Sequence, residues 1–158
     1  MKKFLVILAA IAAFSVSANA QRRLVSYVSL GPANKFVDVL KLHPGPAASI
    51  GFRDYNQDAI VSFTYGGEVF GYWIPDNGSN LFGAYAIPEI GVAIGPRGFK
   101  VYPHAGFMMG YGSDAKAFST GTKSGLGFDF GDHVTLDFSG YYAFSQTWTT
   151  AVNFLFRF

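Results

Sequence analysis

The 158-residue chain contains no cysteine, little charge and no long apolar run beyond its first 20 residues. The absence of cysteine excludes disulfides, a lipid anchor on cysteine and any cysteine-based nucleophile or metal site. The absence of about 20 consecutive apolar residues excludes helical membrane spans. Nineteen glycines and seven prolines disfavour long helices. Half of the residues are nevertheless hydrophobic, and 18% are aromatic.

The first 20 residues have the pattern of a secretory signal peptide. Lys2 and Lys3 precede eleven apolar residues, 4–14, and Ala18-Asn19-Ala20 forms a small-x-small cleavage site. Eleven residues are too few for a helix to cross a bilayer. We therefore expect cleavage before Gln21 and a single domain over residues 21–158. Without Lys2 and Lys3, basic and acidic residues balance at ten each, and no basic patch indicates nucleic-acid binding.

Beyond the signal peptide, apolar and small polar residues alternate with the period of two that is typical of β-strands. Residues 31–46 are assigned to a first external loop, although 35–43 would serve as a ninth strand. An even number is expected of a barrel with both termini on one side, which favours eight strands. Ten strands, with a break at Gly66-Gly67, are the alternative. The eight predicted strands are residues 22–30, 48–53, 59–73, 82–95, 99–112, 126–130, 133–144 and 147–158.

Hairpin registers follow because residues on the same face must pair. Phe130 is expected opposite Val134, across Gly131-Asp132-His133. Phe144 is expected opposite Trp148, across a loop of residues 145–147. This second register would place Phe138 beside Phe154 and Leu136 beside Phe156.

Composition decides which face points inward. A solvated surface should carry about 25–35% charged residues. The polar faces instead consist mainly of Gly, Ser, Thr, Ala and Asn, which suit the interior of a narrow barrel. The sequence therefore predicts an all-β, antiparallel, up-and-down transmembrane β-barrel with apolar residues outside.

The last predicted strand carries a recognisable motif. Val152, Phe154, Phe156 and Phe158 alternate on one face and end on phenylalanine. In this the chain resembles the small bacterial outer-membrane barrels of the OmpA/OmpX type, in which such a strand is similar to the signal that the barrel assembly machinery reads. The resemblance implies a cell outer-membrane location in a Gram-negative envelope, contact with membrane lipid and assembly by that machinery. We expect a monomer whose external partner, if it has one, is not indicated.

Seven charged residues fall on the predicted inner face, with nearly balanced signs. Buried charges must pair, so we expect a salt-bridged plug, with a narrow ion-conducting pore as an alternative. Arg157 and Asp129 are expected to flank Thr135, with Asp137 diagonal to Arg157. The seven are Arg53, Glu68, Glu89, Lys100, Asp129, Asp137 and Arg157.

Four aromatic residues near the external strand ends resemble the girdle at a lipid–water interface: Tyr72, Trp73, Tyr142 and Trp148. The longest external segments, residues 31–46 and 112–122, would hold any partner site.

No catalytic constellation is recognisable, so we expect no enzyme activity, no cofactor and no metal. The chain has three histidines, His43, His104 and His133. His133 and Asp137 share a face but lie about 13 Å apart along a strand. His104 is expected to pack beside Tyr102, and His133 to occupy a turn. Modification of lipid A acyl chains is the enzymatic alternative.

Overall fold

In the computed structural model the described residues are 22–38, 41–76, 79–113, 117–144 and 147–158. They form eight strands: β1 Arg22–Asp38, β2 Lys41–Asn56, β3 Val61–Asp76, β4 Ser79–Ile94, β5 Phe99–Gly112, β6 Ala117–Phe130, β7 Val134–Ala143 and β8 Thr147–Arg157. The expected signal peptide and its cleavage point lie outside the described residues.

The eight strands form a closed antiparallel barrel. Each strand pairs with the next, and β1 pairs with β8. The predicted up-and-down barrel of eight strands is therefore confirmed. The ten-stranded alternative is wrong, because β3 continues through Gly66 and Gly67 with unbroken pairing to β4. Among the described residues, no helix is long and apolar enough to cross a membrane.

The prediction of a first external loop at residues 31–46 is wrong. β1 continues to Asp38 and β2 begins at Lys41, with Pro32 opposite Pro46. Pro32 interrupts the β1–β8 ladder without ending β1: the two strands pair up to Leu30, and pairing resumes at Ala33. The second expected external segment, 112–122, is also too long, because β6 already begins at Ala117.

The hairpin between β6 and β7 has the predicted register, with Phe130 opposite Val134. Its turn contains Gly131 at φ +59°, a conformation that glycine adopts without steric cost. The β7–β8 register is wrong by two residues: Tyr142, rather than Phe144, lies opposite Trp148. A shift of two preserves which face each side chain occupies, so alternation alone does not detect it.

The two ends of the barrel differ. We call the end with the connections 57–60, 95–98 and 131–133 the proximal end, and the opposite end distal. The distal half of the lumen holds a buried, mainly apolar cluster, the distal apolar layer: Ala33, Ala47, Phe70, Tyr72, Ile74, Tyr85, Ile87, Met108, Tyr141, Ala143 and Ala151. Charged side chains fill much of the remaining lumen.

Candidate functional site

The structure places all seven of the predicted inward charges inside the barrel. Each is only 2–6% exposed, because alternation along the strands turns these positions away from the outer surface. They separate into two groups at different heights, here called the middle layer and the proximal layer, which we describe in turn.

The middle layer is centred on Lys123. Its Nζ lies 2.6 Å from Glu68 Oε1 and 3.0 Å from Glu89 Oε2, so one ammonium bridges β3, β4 and β6. Tyr27 and Ser49 donate further hydrogen bonds to Glu68 Oε2, at 3.1 and 3.2 Å. Both carboxylates thus have partners in a site from which water is largely excluded.

His104 and Asp137 complete the middle layer. His104 Nε2 lies 2.7 Å from Asp137 Oδ2, and Nδ1 lies 3.6 Å from the Glu89 carboxylate. The imidazole stacks on Tyr102, with ring centroids 4.7 Å apart, as expected from the sequence. The Ser139 hydroxyl donates to Asp137, so serine and histidine both bond to the acid rather than to each other.

The proximal layer is centred on Asp129. Its carboxylate lies 3.5 Å from Arg53 Nη1 and 3.2 Å from Arg157 Nη1, and it accepts a 2.6 Å hydrogen bond from Thr135. The Arg53 guanidinium also lies over the Tyr102 ring, 3.6 Å from its centroid. Two cations therefore share one buried carboxylate.

Backbone carbonyls also accept hydrogen bonds from cations near the proximal end. Arg157 Nη2 donates to the carbonyls of Gly131 and Val134, at 2.7 and 3.1 Å. Lys100 Nζ donates to the carbonyls of Ala59 and Gly95, at 2.5 and 2.9 Å. Lys100 therefore ties connections together rather than joining an ion pair of the proximal layer.

The expected position of Asp137 beside Arg157 is wrong. The two-residue register error moves Arg157 towards the proximal end, and Thr135 faces Leu155 instead of Arg157. Asp137 is left to pair with His104.

Among the described side chains, two inward cations were missed from the sequence. Lys123 lies six residues before Asp129 in the same strand. An even separation puts both side chains on one face, so the position of Asp129 could have identified Lys123 as inward. Lys35 lay in the segment assigned to a loop. It is buried in β1, 3.4 Å from the Tyr72 hydroxyl.

Three of the four predicted girdle aromatics lie on the outer face near the distal end. Trp73 and Trp148 are 50% and 52% exposed, and the Tyr142 ring lies 4.8 Å from that of Trp148. Tyr72 is a correction: it is only 7% exposed and packs in the lumen near Tyr85. Neighbouring residues of one strand point to opposite faces, so Tyr72 and Trp73 do not share the outer face.

The predicted assembly motif is on the outer face of β8 and the residue that follows it. Phe154, Phe156 and Phe158 are exposed there, and Val152 is half-buried on the same face. Phe158 N–H donates to the Ser26 carbonyl of β1 at 3.0 Å. Recognition of this motif by an assembly machinery stays a prediction.

The described histidine and acidic residues form no group of three or more arranged to hold an ion.

Comparison with known proteins finds likeness to solved structures but not to known sequences. No protein-family model matches the chain, and no curated protein matches it. A solved structure described as de novo design of transmembrane β-barrels is similar over 85% of this chain and 94% of the other, with 11% identical residues and a TM-score of 0.43.

Proposed function

We propose that this protein is an integral outer-membrane β-barrel of a Gram-negative cell envelope. Its lumen is closed by buried ion pairs, and its role is structural or surface-interactive rather than catalytic. The observation that carries the proposal is the inversion of the usual distribution of residues: large apolar side chains lie outside, and charges lie inside.

The outer surface supports contact with lipid. Exposed aromatic and aliphatic side chains occur on all eight strands, for example Phe52, Phe107 and Phe138. Among the described side chains, those that are both charged and exposed, such as Arg23, Asp58 and Arg97, lie at the proximal end. Exposure of this apolar surface to water would cost free energy, whereas contact with lipid hydrocarbon would not.

The filled lumen supports closure. The distal apolar layer, the middle layer and the proximal layer follow one another along the barrel, and their side chains are almost fully buried. An eight-stranded barrel has an interior just wide enough for side chains to fill. We therefore propose membrane lipid as the permanent partner and the barrel assembly machinery as a partner during biogenesis, with the protein acting as a monomer.

Catalysis is not part of the proposal. Among the described residues, Ser139, Asp137 and His104 come together, but the acid stands between the other two. A nucleophile requires its hydroxyl next to the histidine. Modification of lipid A would require this buried set to rearrange and open.

Two measurements test the proposal. Membrane fractionation of cells that express the chain should recover it in the outer membrane. The unheated protein should also migrate differently from the heated protein on gels, because a closed barrel resists detergent. Recovery as a soluble periplasmic monomer would overturn the proposal. A change in lipid A mass on expression that disappears in His104→Ala would instead favour the enzymatic alternative.

A further inference from the structure

The outer wall carries a furrow where large side chains give way to glycine, alanine and proline. A groove of about 610 Å³ crosses β2, β3 and β4, with Phe52, Val69 and Phe158 among its walls. A second groove of about 530 Å³ continues across β4 and β5. The two share Gly66 and Pro88, and we call them together the furrow.

Backbone geometry requires glycine at only one of the two adjacent glycines in the furrow, Gly66 and Gly67. At Gly66 an added Cβ would lie 2.2 Å from the Phe52 carbonyl oxygen, so this position requires glycine. At Gly67 the nearest atom to an added Cβ would be 3.5 Å away, an ordinary contact. The backbone would therefore accept a side chain at residue 67, and glycine there leaves the floor of the furrow open.

The strand pairing also changes beneath the furrow. Pairing of β4 with β5 is recorded at Ala86 opposite Met109 and resumes at Glu89 opposite Gly106. Pro88, which lacks a backbone donor, lies in the gap. The β4–β5 ladder at this point therefore has fewer paired residues than the continuous ladder between β3 and β4. The outward side chains of β4 here, Ala86 and Pro88, are also small.

We infer that the furrow binds one acyl chain of a membrane phospholipid. The inference rests on the proposed function, because it requires this face of the barrel to meet lipid. Apart from Ser26, the outward side chains around the furrow are apolar, and the exposed rings of Phe52, Tyr65 and Phe107 rise beside the glycine floor. A flexible chain can follow such a floor and fill the space that straight neighbouring chains would leave empty.

The shape argues against a second copy of this chain as the occupant. The outer wall of a barrel is convex, so a second barrel would contact the ridges and leave the floor unfilled. Eighteen residues line the two grooves together, whereas a stable protein interface uses about 20–30 residues on each side.

The test uses substitutions that fill the furrow, with matched controls. Gly67→Leu fills the floor. Gly71→Leu adds the same side chain on the same strand and face but outside the furrow, where the nearest atom to an added Cβ is 3.6 Å away. Ala86→Leu in the furrow and Ala84→Leu outside it form a second pair on β4. Each protein is refolded into phosphatidylglycerol vesicles, extracted in mild detergent and examined by native mass spectrometry.

We expect the unsubstituted barrel, Gly71→Leu and Ala84→Leu to retain one phospholipid. In Gly67→Leu and Ala86→Leu, the fraction of protein that carries a phospholipid should be at least tenfold lower. Equal retention by all five proteins, or retention by none, overturns the inference. A dimer that only the furrow substitutions abolish also overturns it, in favour of a second copy. If the unsubstituted chain does not insert into vesicles and shows no heat-dependent mobility, the proposed function itself fails. Insertion without differential lipid retention defeats the furrow alone.

Discussion

Lys123 is the cation on which the middle layer depends, since its ammonium contacts both Glu68 and Glu89. Lys123→Met should destabilise the barrel by about 3–5 kcal/mol, because removal of one partner leaves buried carboxylates uncompensated. Urea titration of the protein in phospholipid vesicles, followed by tryptophan fluorescence, measures the change in the free energy of unfolding.

The control for Lys123→Met also neutralises the two carboxylates that lose their partner, Glu68 and Glu89. Lys123→Met combined with Glu68→Gln and Glu89→Gln should recover most of the lost stability, because neutral amides cost less to bury than unpaired carboxylates. A triple variant that is no more stable than the single variant would show that Lys123 acts through packing rather than through charge.

Phe138 tests the orientation of the wall at the level of one residue. It lies near the middle of β7 on the outer face, whereas Phe130 is the last residue of β6, with almost the same exposure. Phe138→Arg should cost about 2–4 kcal/mol in a bilayer, and Phe130→Arg about 0–1 kcal/mol, because the penalty falls towards the interface.

The same urea titration in vesicles measures both arginine variants. Each loses an equally exposed ring, so the difference between them reports depth in the membrane. Equal costs at the two positions would contradict a membrane midplane at the height of Phe138.

At the residue scale, alternation predicted seven inward charges and the proximity of Arg157 to Asp129, which lie 3.2 Å apart, but not the other partners. Asp137 and Asp129 were placed on the inner face from β6 and β7 alone, whereas Asp137 bonds to His104 of β5 across the lumen. Contacts across a lumen depend on the stagger of all eight strands, which no local pattern encodes. The pairing of Asp129 with Arg53, 76 residues earlier in the sequence, is of the same kind.

At the scale of the element, turn chemistry separates the register that was predicted correctly from the one that was not. Gly131 allows a tight turn at residues 131–133, and this turn sets the register of the β6–β7 hairpin. The 145–147 segment contains neither glycine nor proline, so alternation was the only guide there, and it tolerates a shift of two.

The β1–β2 hairpin shows the opposite failure. Four prolines at 32, 44, 46 and 75 mark positions where we expected strands to end, yet β1, β2 and β3 include them. A proline breaks one ladder bond, while the neighbouring residues still pair on the other side of the strand. Strand length in a closed barrel is therefore set by the whole sheet and is poorly predicted from one segment.

The β4–β5 ladder should open more readily than the ladders on either side of β3. Residues 65–70 of β3 lie between continuous ladders on both sides, whereas the pairing of residues 104–108 of β5 with β4 is interrupted opposite Pro88. Backbone amides of 104–108 should therefore exchange with deuterium faster than those of 65–70. Hydrogen exchange with mass spectrometry on the refolded barrel measures both segments.

Pro88→Val provides the matching control, because it restores a backbone donor to β4 and keeps an apolar side chain on the outer face. It should slow exchange in 104–108 and leave 65–70 unchanged. Equal protection of the two segments in the unsubstituted protein would contradict a weak β4–β5 ladder.

At the scale of the whole molecule, three layers of buried side chains follow one another along the lumen. Phe70, Ile74 and Met108 belong to the distal apolar layer, Lys123 centres the middle layer, and Asp129 centres the proximal layer. A pore conducts only where every constriction along its axis is open. Removal of one layer would leave two intact, so closure should not depend on any single ion pair.

The expectation for conduction follows from this arrangement. The unsubstituted barrel should show no steady single-channel current in planar bilayers, and neither should the combined Glu68→Ala, Glu89→Ala and Lys123→Ala variant. Heat-dependent mobility of the same samples confirms that silent protein is folded. Steady current from the unsubstituted protein would favour the pore alternative over the plug. Current from the combined variant alone would mean that the middle layer by itself closes the barrel, and that the distal and proximal layers admit water and ions.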